Sequence, residues 1–256
     1  MTREKTMAVI LVTGATAGFG RAIAVRLVRE GHQVIGTGRR KERLDELRDE
    51  LGDAFLPVVL DVTDAQKVAA LPGQLPADWN RVDVLINNAG LALGVGKAQN
   101  ADLQDWKTMI DTNVTGVVEV TRAFLPQMIE RNQGYVITLG SVAGTYPYMG
   151  GNVYGATKAF VAQFMRNLRT DLLGTRIRAS TIEPGLCGGS EFSNVRLRDD
   201  QKAADVYKGT NPLMPEDIAA TVSWLMSQPP HVNVNAIEMM PVCQAAGGLA
   251  VDRTSD

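Results

Sequence analysis

A tyrosine and a lysine four residues apart, Tyr154 and Lys158, have the types and spacing that proton transfer requires. On a helix this spacing places both side chains on the same face, one turn apart. An unperturbed tyrosine has a pKa of about 10, and a nearby ammonium favours the phenolate, so we expect Lys158 to lower the pKa of Tyr154. Such a pair is also common in helices where it is only structural, so other residues must support this chemistry.

Two polar residues upstream extend the candidate site. Ser141 follows an apolar run that we predict to be a strand, and at a strand end its hydroxyl could bind a substrate oxygen. Asn113 lies within a long apolar helical pattern, where a buried amide needs a polar partner.

A glycine-rich turn at residues 13–20 follows the first apolar run and leads into a predicted helix. Glycine lets the backbone turn tightly and approach a phosphate, and a helix N-terminus offers free N–H groups to an anion. An ordinary strand-to-helix turn is the alternative, but the position after the first strand favours a dinucleotide site. The predicted cofactor contacts in this turn are Gly14, Thr16, Ala17, Gly18, Phe19 and Gly20.

Two arginines, Arg39 and Arg40, follow the second predicted strand. In dinucleotide folds an acidic residue here binds the ribose 2′-hydroxyl of NAD, whereas arginine accommodates the 2′-phosphate of NADP. The alternative is a solvated basic start to the helix predicted at 41–51. Because no carboxylate lies between the second predicted strand and Glu42, the sequence favours NADP.

Polar residues also follow the third and fourth predicted strands, at the edge of the sheet that faces the ligand crevice. Asp61 and Val62 are expected to border the adenine, and Asn88 with Gly90 to line the adenine ribose. Each could equally cap a turn, because Asp and Asn favour turns for local hydrogen-bonding reasons.

The elements that position these residues alternate regularly along the chain. We predict strands at 8–12, 33–36, 55–60, 82–87, 135–139, 177–182 and 237–242, and helices at 21–30, 41–51, 102–131, 153–173 and 216–227. This alternation predicts an α/β fold with a doubly wound parallel sheet and helices on both faces. We expect one domain over residues 1–256, with the irregular segment 184–215 as a substrate lid.

Composition excludes several function classes. The chain has two cysteines, two histidines and a net charge of -2, which disfavours disulfide frameworks, metal centres, Ser-His-Asp hydrolysis and nucleic-acid binding. No apolar run approaches the roughly 18 residues of a membrane span, and the polar start does not resemble a signal peptide. We therefore expect a cytoplasmic protein with neither a metal nor a membrane role.

Taken together, the motifs resemble the short-chain dehydrogenase/reductase family, in the family's order and over the whole chain. They are Thr13-Gly14, Gly18, Gly20, residues 87–90, Asn113, Ser141, Tyr154, Lys158 and Pro184-Gly185. The resemblance implies a Rossmann-type sheet of about seven strands and a catalytic tetrad of Asn113, Ser141, Tyr154 and Lys158. Tyr154 would be the acid/base and Ser141 would orient the substrate oxygen. Lys158 would hold the nicotinamide ribose and lower the tyrosine pKa, and Asn113 would anchor a water in a proton relay.

The segments 14–20, 38–40, 150–160, 183–185 and 191–196 further resemble one subgroup, the NADP-dependent 3-hydroxy acid dehydrogenases that oxidise serine and allo-threonine. In that subgroup the residues from Pro184 to Phe192 cover the nicotinamide, which implicates Pro184, Gly185, Cys187, Gly188 and Phe192. Cys187 departs from the expected small aliphatic residue, and we interpret it as a packing residue rather than a nucleophile.

The substrate expected from this resemblance is a small 3-hydroxy acid or its 3-oxo counterpart. Its carboxylate needs a cation, and Arg196 in the lid is the candidate, although a solvated loop arginine is the equal alternative. An NADPH-dependent reductase of other carbonyl or 3-oxoacyl substrates remains open, as does a non-catalytic NADP-binding regulator. The family also implies a homotetramer that pairs helices 102–131 and 153–173 across subunits, with the tail 241–250 against a neighbour.

Overall fold

The computed structural model describes residues 7–246, and one seven-stranded parallel sheet runs through the centre of this region. The strands are β1 (Val9–Val12), β2 (Gln33–Gly38), β3 (Phe55–Val59), β4 (Val84–Asn87), β5 (Gly134–Leu139), β6 (Ile177–Pro184) and β7 (Ala236–Met239). Their order is β3-β2-β1-β4-β5-β6-β7. The predicted doubly wound parallel sheet is confirmed.

Helices cover both faces of this sheet. They are α1 (Gly18–Arg29), α2 (Lys41–Leu51), α3 (Ala65–Gln74), α4 (Leu103–Ile110), α5 (Gly116–Glu130), α6 (Asn152–Asp171), α7 (Phe192–Leu197), α8 (Asp200–Asp205) and α9 (Pro215–Ser227). Six of them correspond to the five predicted helices, because α4 and α5 together replace the single helix predicted at 102–131.

Alternation along β1 shows how the sheet separates two apolar cores. Ile10 and Val12 point to one face and pack with the cluster that includes α1, α2 and α9. Val9 and Leu11 point to the other face and pack with α3, α5 and α6. Because successive side chains of a strand point to opposite faces, one short strand serves both cores. Each fully buried Leu or Ile contributes roughly 1.5–3 kcal/mol.

The strand order reverses at β1, because β2 and β3 are added on one side of β1 and β4 to β7 on the other. Leu11 pairs with Ile35 of β2 on one side and with Leu85 of β4 on the other. At such a switch point the loops leave the two strands in opposite directions and open a crevice at their carboxyl ends. The fold therefore places the glycine-rich turn and residues 88–90 at the mouth of one crevice.

Helix α3 was not predicted, because Pro72 and Gly73 lie in its sequence and both disfavour a helix interior. Pro72 sits in the last turn, and the helix ends two residues later. The lid predicted as irregular contains two short helices, α7 and α8, so that expectation was incomplete. Strands β4 and β7 are shorter than their predicted ranges of 82–87 and 237–242.

The helix predicted at 102–131 is interrupted by a π-helical turn, Asp111–Thr115, which contains Asn113. One extra residue per turn widens the helix here, and such turns are frequent at functional sites. Gly116 follows, where an added Cβ would lie 2.9 Å from the Val62 side chain. Only a glycine allows the helix to approach the end of the third strand this closely.

Candidate active site

A cavity of about 740 Å³ occupies the crevice beyond the carboxyl ends of the strands. Nearly all the predicted site residues line it. They are Gly14, Thr16, Ala17, Gly18, Phe19, Arg39, Arg40, Asp61, Val62, Asn88, Gly90, Ser141, Tyr154, Lys158, Pro184, Gly185, Cys187, Phe192 and Arg196. Gly20, Asn113 and Gly188, which were also predicted, lie behind the cavity wall.

The glycine-rich turn has the geometry of an anion-binding loop. Gly14 and Gly18 adopt positive φ angles of 70° and 49°, which side chains with a Cβ rarely adopt. Ala17 precedes helix α1 without a side-chain cap, so the first N–H groups of the helix remain available. Gly20 serves packing instead, since a Cβ there would lie 2.2 Å from the Gly14 carbonyl oxygen.

Thr13 and Asn88 fix this turn to the end of β4. The Thr13 hydroxyl accepts hydrogen bonds from the backbone N–H groups of Asn88 and Ala89, each at 3.0 Å. The Asn88 amide donates to the carbonyls of Thr13 at 2.8 Å and Gly14 at 3.2 Å. Asn88 was predicted to line the ribose. It borders the cavity, but its amide braces the turn.

The two arginines lie at the far end of the cavity from Tyr154. Arg40 donates to the Glu191 carboxylate at 2.8 Å and to the Thr16 hydroxyl at 3.0 Å. Arg39 is mostly exposed, with Asp61 at 3.9 Å. Asp61 also accepts from the backbone and hydroxyl of Thr63, so it caps a turn while bordering the cavity, and its place beside the adenine stays a prediction.

Tyr154 and Lys158 project from helix α6 into the other end of the cavity, and each side chain is about nine-tenths buried. The Lys158 ammonium donates to the Leu139 carbonyl at 2.8 Å and lies 5.9 Å from the centroid of the Tyr154 ring. Burial raises the pKa of Tyr154 to about 12 and lowers the pKa of Lys158 to about 8. The expectation that Lys158 lowers the tyrosine pKa was wrong for this structure, because the loss of hydration outweighs other influences.

Ser141 begins the turn after β5, where its hydroxyl accepts from the backbone N–H of Ala143 at 3.1 Å. The same hydroxyl donates to the Pro184 carbonyl at 3.4 Å, which joins the ends of β5 and β6. Hydrogen bonding with Ser141 acts to lower the pKa of Tyr154, against the larger effect of burial. Ser141 and Tyr154 line the same cavity.

Asn113 is fully buried in the π-helical turn behind the cavity wall, where it binds the backbone of a cavity residue, Leu91. Its side-chain oxygen accepts from the N–H of Leu91 at 2.9 Å, and its amide donates to the Leu91 carbonyl at 2.8 Å and the Thr157 hydroxyl at 3.1 Å. A Cβ added to Gly90 would lie 3.2 Å from the Asn113 oxygen and 3.6 Å from the Lys158 nitrogen. Asn113 therefore fixes the loop that passes over Lys158.

Arg196 of helix α7 lies above Tyr154. Its guanidinium carbon is 5.6 Å from the centroid of the Tyr154 ring and 5.2 Å from that of Tyr148. It donates to the carbonyl of Gly94 at 3.2 Å and, at 3.5 Å, to that of Gly150. The lid is thereby attached to the loops on the far side of the cavity, with a cation above the candidate acid/base.

The remaining predicted lid residues divide between cavity and packing. Phe192 lies 5.8 Å from Tyr154, centroid to centroid. Gly188 packs away from the cavity, since a Cβ there would lie 2.8 Å from Pro212. Burial raises the pKa of the Cys187 thiol to about 12, which fits the predicted packing role because a buried thiol is a poor nucleophile.

Comparison with known proteins identifies the family. The model of the short chain dehydrogenase family matches residues 8–200. The chain belongs to this family. The family predicted from the sequence is therefore confirmed, and with it the oxidoreductase class.

Relatives of this short-chain dehydrogenase align along almost its whole length. It is 56% identical over 246 residues to the NADP-dependent 3-hydroxy acid dehydrogenase YdfG of Escherichia coli (strain K12), covering 96% of this chain and 99% of that protein. It is 53% identical over 247 residues to serine 3-dehydrogenase of Rhizobium radiobacter, covering 96% and 98%. These relatives are of the subgroup that the sequence resembled.

Solved structures agree with the sequence relatives. The closed form of serine dehydrogenase complexed with NADP+ superposes with a TM-score of 0.95 at 56% identity, covering 96% of this chain and 99% of that one. Serine dehydrogenase from Escherichia coli gives a TM-score of 0.83 at 52% identity, covering 92% and 99%.

Within residues 7–246, no helix of this short-chain dehydrogenase has the length and apolar content of a membrane span. The same residues contain no group of three or more His, Cys, Asp or Glu side chains that could hold a metal ion.

Sequence reasoning missed two contributors to the site of this short-chain dehydrogenase. Thr13 was named only as part of a motif, although a buried threonine in a turn requires a partner and could have been recognised on that ground. Glu191 was named only as part of a segment. Its partner Arg40 is 151 residues away, and nothing local in the sequence indicates that contact.

Proposed function

We propose that this enzyme transfers a hydride between NADP and the hydroxyl-bearing carbon of small 3-hydroxy acids such as serine and allo-threonine, or reduces their 3-oxo counterparts. The observation that carries the proposal is the position of Arg196, whose guanidinium lies 5.6 Å from the centroid of the Tyr154 ring. A cation at this distance offers a small acid a carboxylate partner beside the group that would move the hydroxyl proton. Relatives of the same length with this activity support it.

The cavity residues fit NADP on geometry. Gly14 and Gly18 open the turn, the uncapped start of α1 faces it, and Arg39 and Arg40 border the opposite end. When bound, NADP supplies the hydride acceptor for oxidation or, as NADPH, the hydride donor for reduction. The cofactor named for the relatives agrees with the preference predicted from the two arginines.

Tyr154 is the proposed acid/base. As a phenolate it takes the proton of the substrate hydroxyl, and as a neutral phenol it returns a proton to the carbonyl oxygen. Ser141 is proposed to orient that oxygen, because it lines the cavity together with Tyr154 at the end of β5. Tyr154 is about nine-tenths buried, with Phe192 and Arg196 against its ring, which restricts the position of the phenol.

Lys158 and Asn113 have supporting roles in this proposal. Lys158 holds a positive charge beneath Tyr154 while its position is fixed by the Leu139 carbonyl, and it is proposed to bind the nicotinamide ribose. Asn113 fixes the Leu91 backbone above Lys158, and it is a positioning residue because it does not reach the cavity. Asn113 is also proposed to anchor the water of a proton relay.

A substrate panel tests this function. Initial rates are measured with serine, allo-threonine and 3-hydroxypropionate, and with 2-aminoethanol and ethanol as matched alcohols that lack the carboxylate, each with NADP+ and NAD+. We expect turnover of the acids with NADP+ and little turnover of their matched alcohols. Equal rates for both groups would favour a carbonyl or alcohol enzyme of another specificity. Cofactor binding without turnover across the panel would indicate a non-catalytic regulator.

A homotetramer is part of the proposal. Helices α4, α5 and α6 expose the apolar side chains Leu103, Ile110, Ile129 and Phe160, which a paired copy would cover. The tail predicted at 241–250 is described only to residue 246, where Val242 is fully exposed, and residues 247–250 lie outside the described region. Light scattering at micromolar concentration tests this assembly, and a monomer would contradict it. The single domain over 1–256 and the cytoplasmic location also stay predictions.

A further inference from the structure

Glu191, the residue before helix α7, joins the lid to two arginines of the cofactor end. One carboxylate oxygen lies 2.8 Å from Arg40, and the other lies 2.7 Å from Arg43 of helix α2. All three side chains are about 40% exposed. One negative charge is thus shared by two positive charges, and the arginines hold the pKa of the Glu191 carboxyl below its usual range.

Arg40 has little freedom while this arrangement lasts. Its second terminal nitrogen donates to the Thr16 hydroxyl at 3.0 Å, within the glycine-rich turn. Both Arg40 and Glu191 line the cofactor cavity. The Glu191 carboxylate therefore binds the guanidinium that is proposed to face the adenosine end of the cofactor. A guanidinium that already binds a carboxylate has fewer donors and less net charge to offer a second anion.

A 2′-phosphate placed at Arg40 would therefore compete with Glu191. The phosphate carries up to two negative charges. If the phosphate and the Glu191 carboxylate both contact Arg40, they are close enough to repel each other even in water. Arg43 gives Glu191 a second partner, so the carboxylate keeps an ion pair, and the lid keeps its attachment, when Arg40 turns toward the phosphate.

We propose that Glu191 is a specificity-determining residue: it acts as an internal counter-anion that competes with the 2′-phosphate of NADP for Arg40, and so limits the preference for NADP over NAD. The inference rests on the proposed role of Arg40 as the reader of that phosphate. In this proposal one lid residue, Glu191, takes part in cofactor selection at Arg40, while another, Arg196, lies at the Tyr154 end of the cavity.

The test compares dissociation constants of NADP+ and NAD+ for the full-length wild type and Glu191→Gln, which keeps the side-chain shape and removes the charge. We expect Glu191→Gln to bind NADP+ about two- to fivefold more tightly, as suits an exposed ion pair, and NAD+ with unchanged affinity. The gain should shrink in high salt, which screens exposed charges. Glu46→Gln is the matched control, because Glu46 lines a second cavity together with Glu191 and Arg43 and should alter neither constant.

Two results would overturn the proposal. Equal weakening of NADP+ and NAD+ by Glu191→Gln would mean that the carboxylate only anchors the lid. Selective weakening of NADP+ would mean that it supports Arg40 rather than competing with the phosphate. Arg40→Ala separates this inference from the proposed function: if Arg40→Ala leaves the NADP+ to NAD+ ratio unchanged, Arg40 does not read the phosphate and both fail. If only Glu191→Gln gives the unexpected result, the proposed cofactor site stands.

Discussion

The Lys158 ammonium lies 5.9 Å from the centroid of the Tyr154 ring and donates to the Leu139 carbonyl at 2.8 Å. Both side chains are buried in the same wall of the cavity, and burial disfavours the charged form of each. The pKa of Tyr154 is raised to about 12 and that of Lys158 is lowered to about 8. At neutral pH Tyr154 is therefore a neutral phenol, and Lys158 beside it is mostly protonated although burial disfavours its charge.

The rates of oxidation and reduction should depend differently on pH. Because the pKa of Tyr154 is raised to about 12, the phenolate that oxidation requires is a minor form at neutral pH, whereas the phenol that reduction requires is the major form. We expect the oxidation rate to rise from about pH 7 to about pH 10 and the reduction rate to stay level or fall. Initial rates at saturating substrate check this, and an oxidation rate independent of pH would contradict it.

Stability should change when the buried lysine is removed. The pKa of Lys158 in the folded chain, about 8, lies below its ordinary value of 10.5. Its charge therefore costs stability below about pH 8, and the cost is relieved as the pH rises toward 10.5. The shift in pKa corresponds to a cost of roughly 3 kcal/mol in the free energy of unfolding. Removing the lysine recovers this cost but loses its hydrogen bond to the Leu139 carbonyl.

Lys158→Met should therefore be more stable than wild type at about pH 7, by roughly 1–3 kcal/mol, and should lose this advantage near pH 10, while turnover falls. Urea unfolding at both pH values measures the difference. Lys208→Met, a change at an exposed lysine, is the control and should show no such dependence. A Lys158→Met protein that is less stable than wild type at neutral pH would show that the buried ammonium does not destabilise the fold.

Cofactor preference should depend on the two arginines at the end of β2. Changing Arg39 and Arg40 to Ala removes charge-assisted hydrogen bonds to the 2′-phosphate, so we expect NADP+ to bind about 10- to 100-fold more weakly and NAD+ to be nearly unaffected. Isothermal titration with both cofactors measures this. Equal losses for the two would show that these arginines do not read the phosphate.

Substrate affinity should depend on Arg196. Replacing it with Met removes the proposed carboxylate partner, so KM for 3-hydroxy acids should rise about 10- to 100-fold, with a smaller change in NADP+ affinity. Arg198→Met is the matched control, because Arg198 ends the same lid helix and pairs with Asp105 on the outside. If both variants raise KM alike, Arg196 acts only by attaching the lid.

Much of the fold and cavity could be predicted because the signals are local. Alternation in strands such as Ile10 to Val12 and the glycine turn at 13–20 depend on sterics within a few residues. The tetrad residues Ser141, Tyr154 and Lys158 were placed correctly for the same reason, since strand ends and helix spacing determine where they point. Asn113 was expected in the site but lies behind the cavity wall, in the π-helical turn. This position could not be predicted, because a π-helical turn has no recognisable sequence signal.

Properties that depend on distant contacts could not be predicted. The pKa of Tyr154 follows from its burial, and burial is decided by elements far apart in the chain. The ion pairs of Glu191 likewise depend on a contact across 151 residues. Helix α3 was missed because Pro72 opposes a helix locally, while packing against α5 stabilises it.

Tyr154→Phe asks whether Tyr154 moves the substrate proton. This variant keeps the ring that contacts Phe192 and Arg196 but removes the ionisable group. The measurement is kcat with serine and NADP+ together with the dissociation constant of NADPH. We expect kcat to fall by about 10²–10⁴-fold or more while the affinity for NADPH stays unchanged. Near-normal turnover by Tyr154→Phe would contradict it and leave only a cofactor-binding fold.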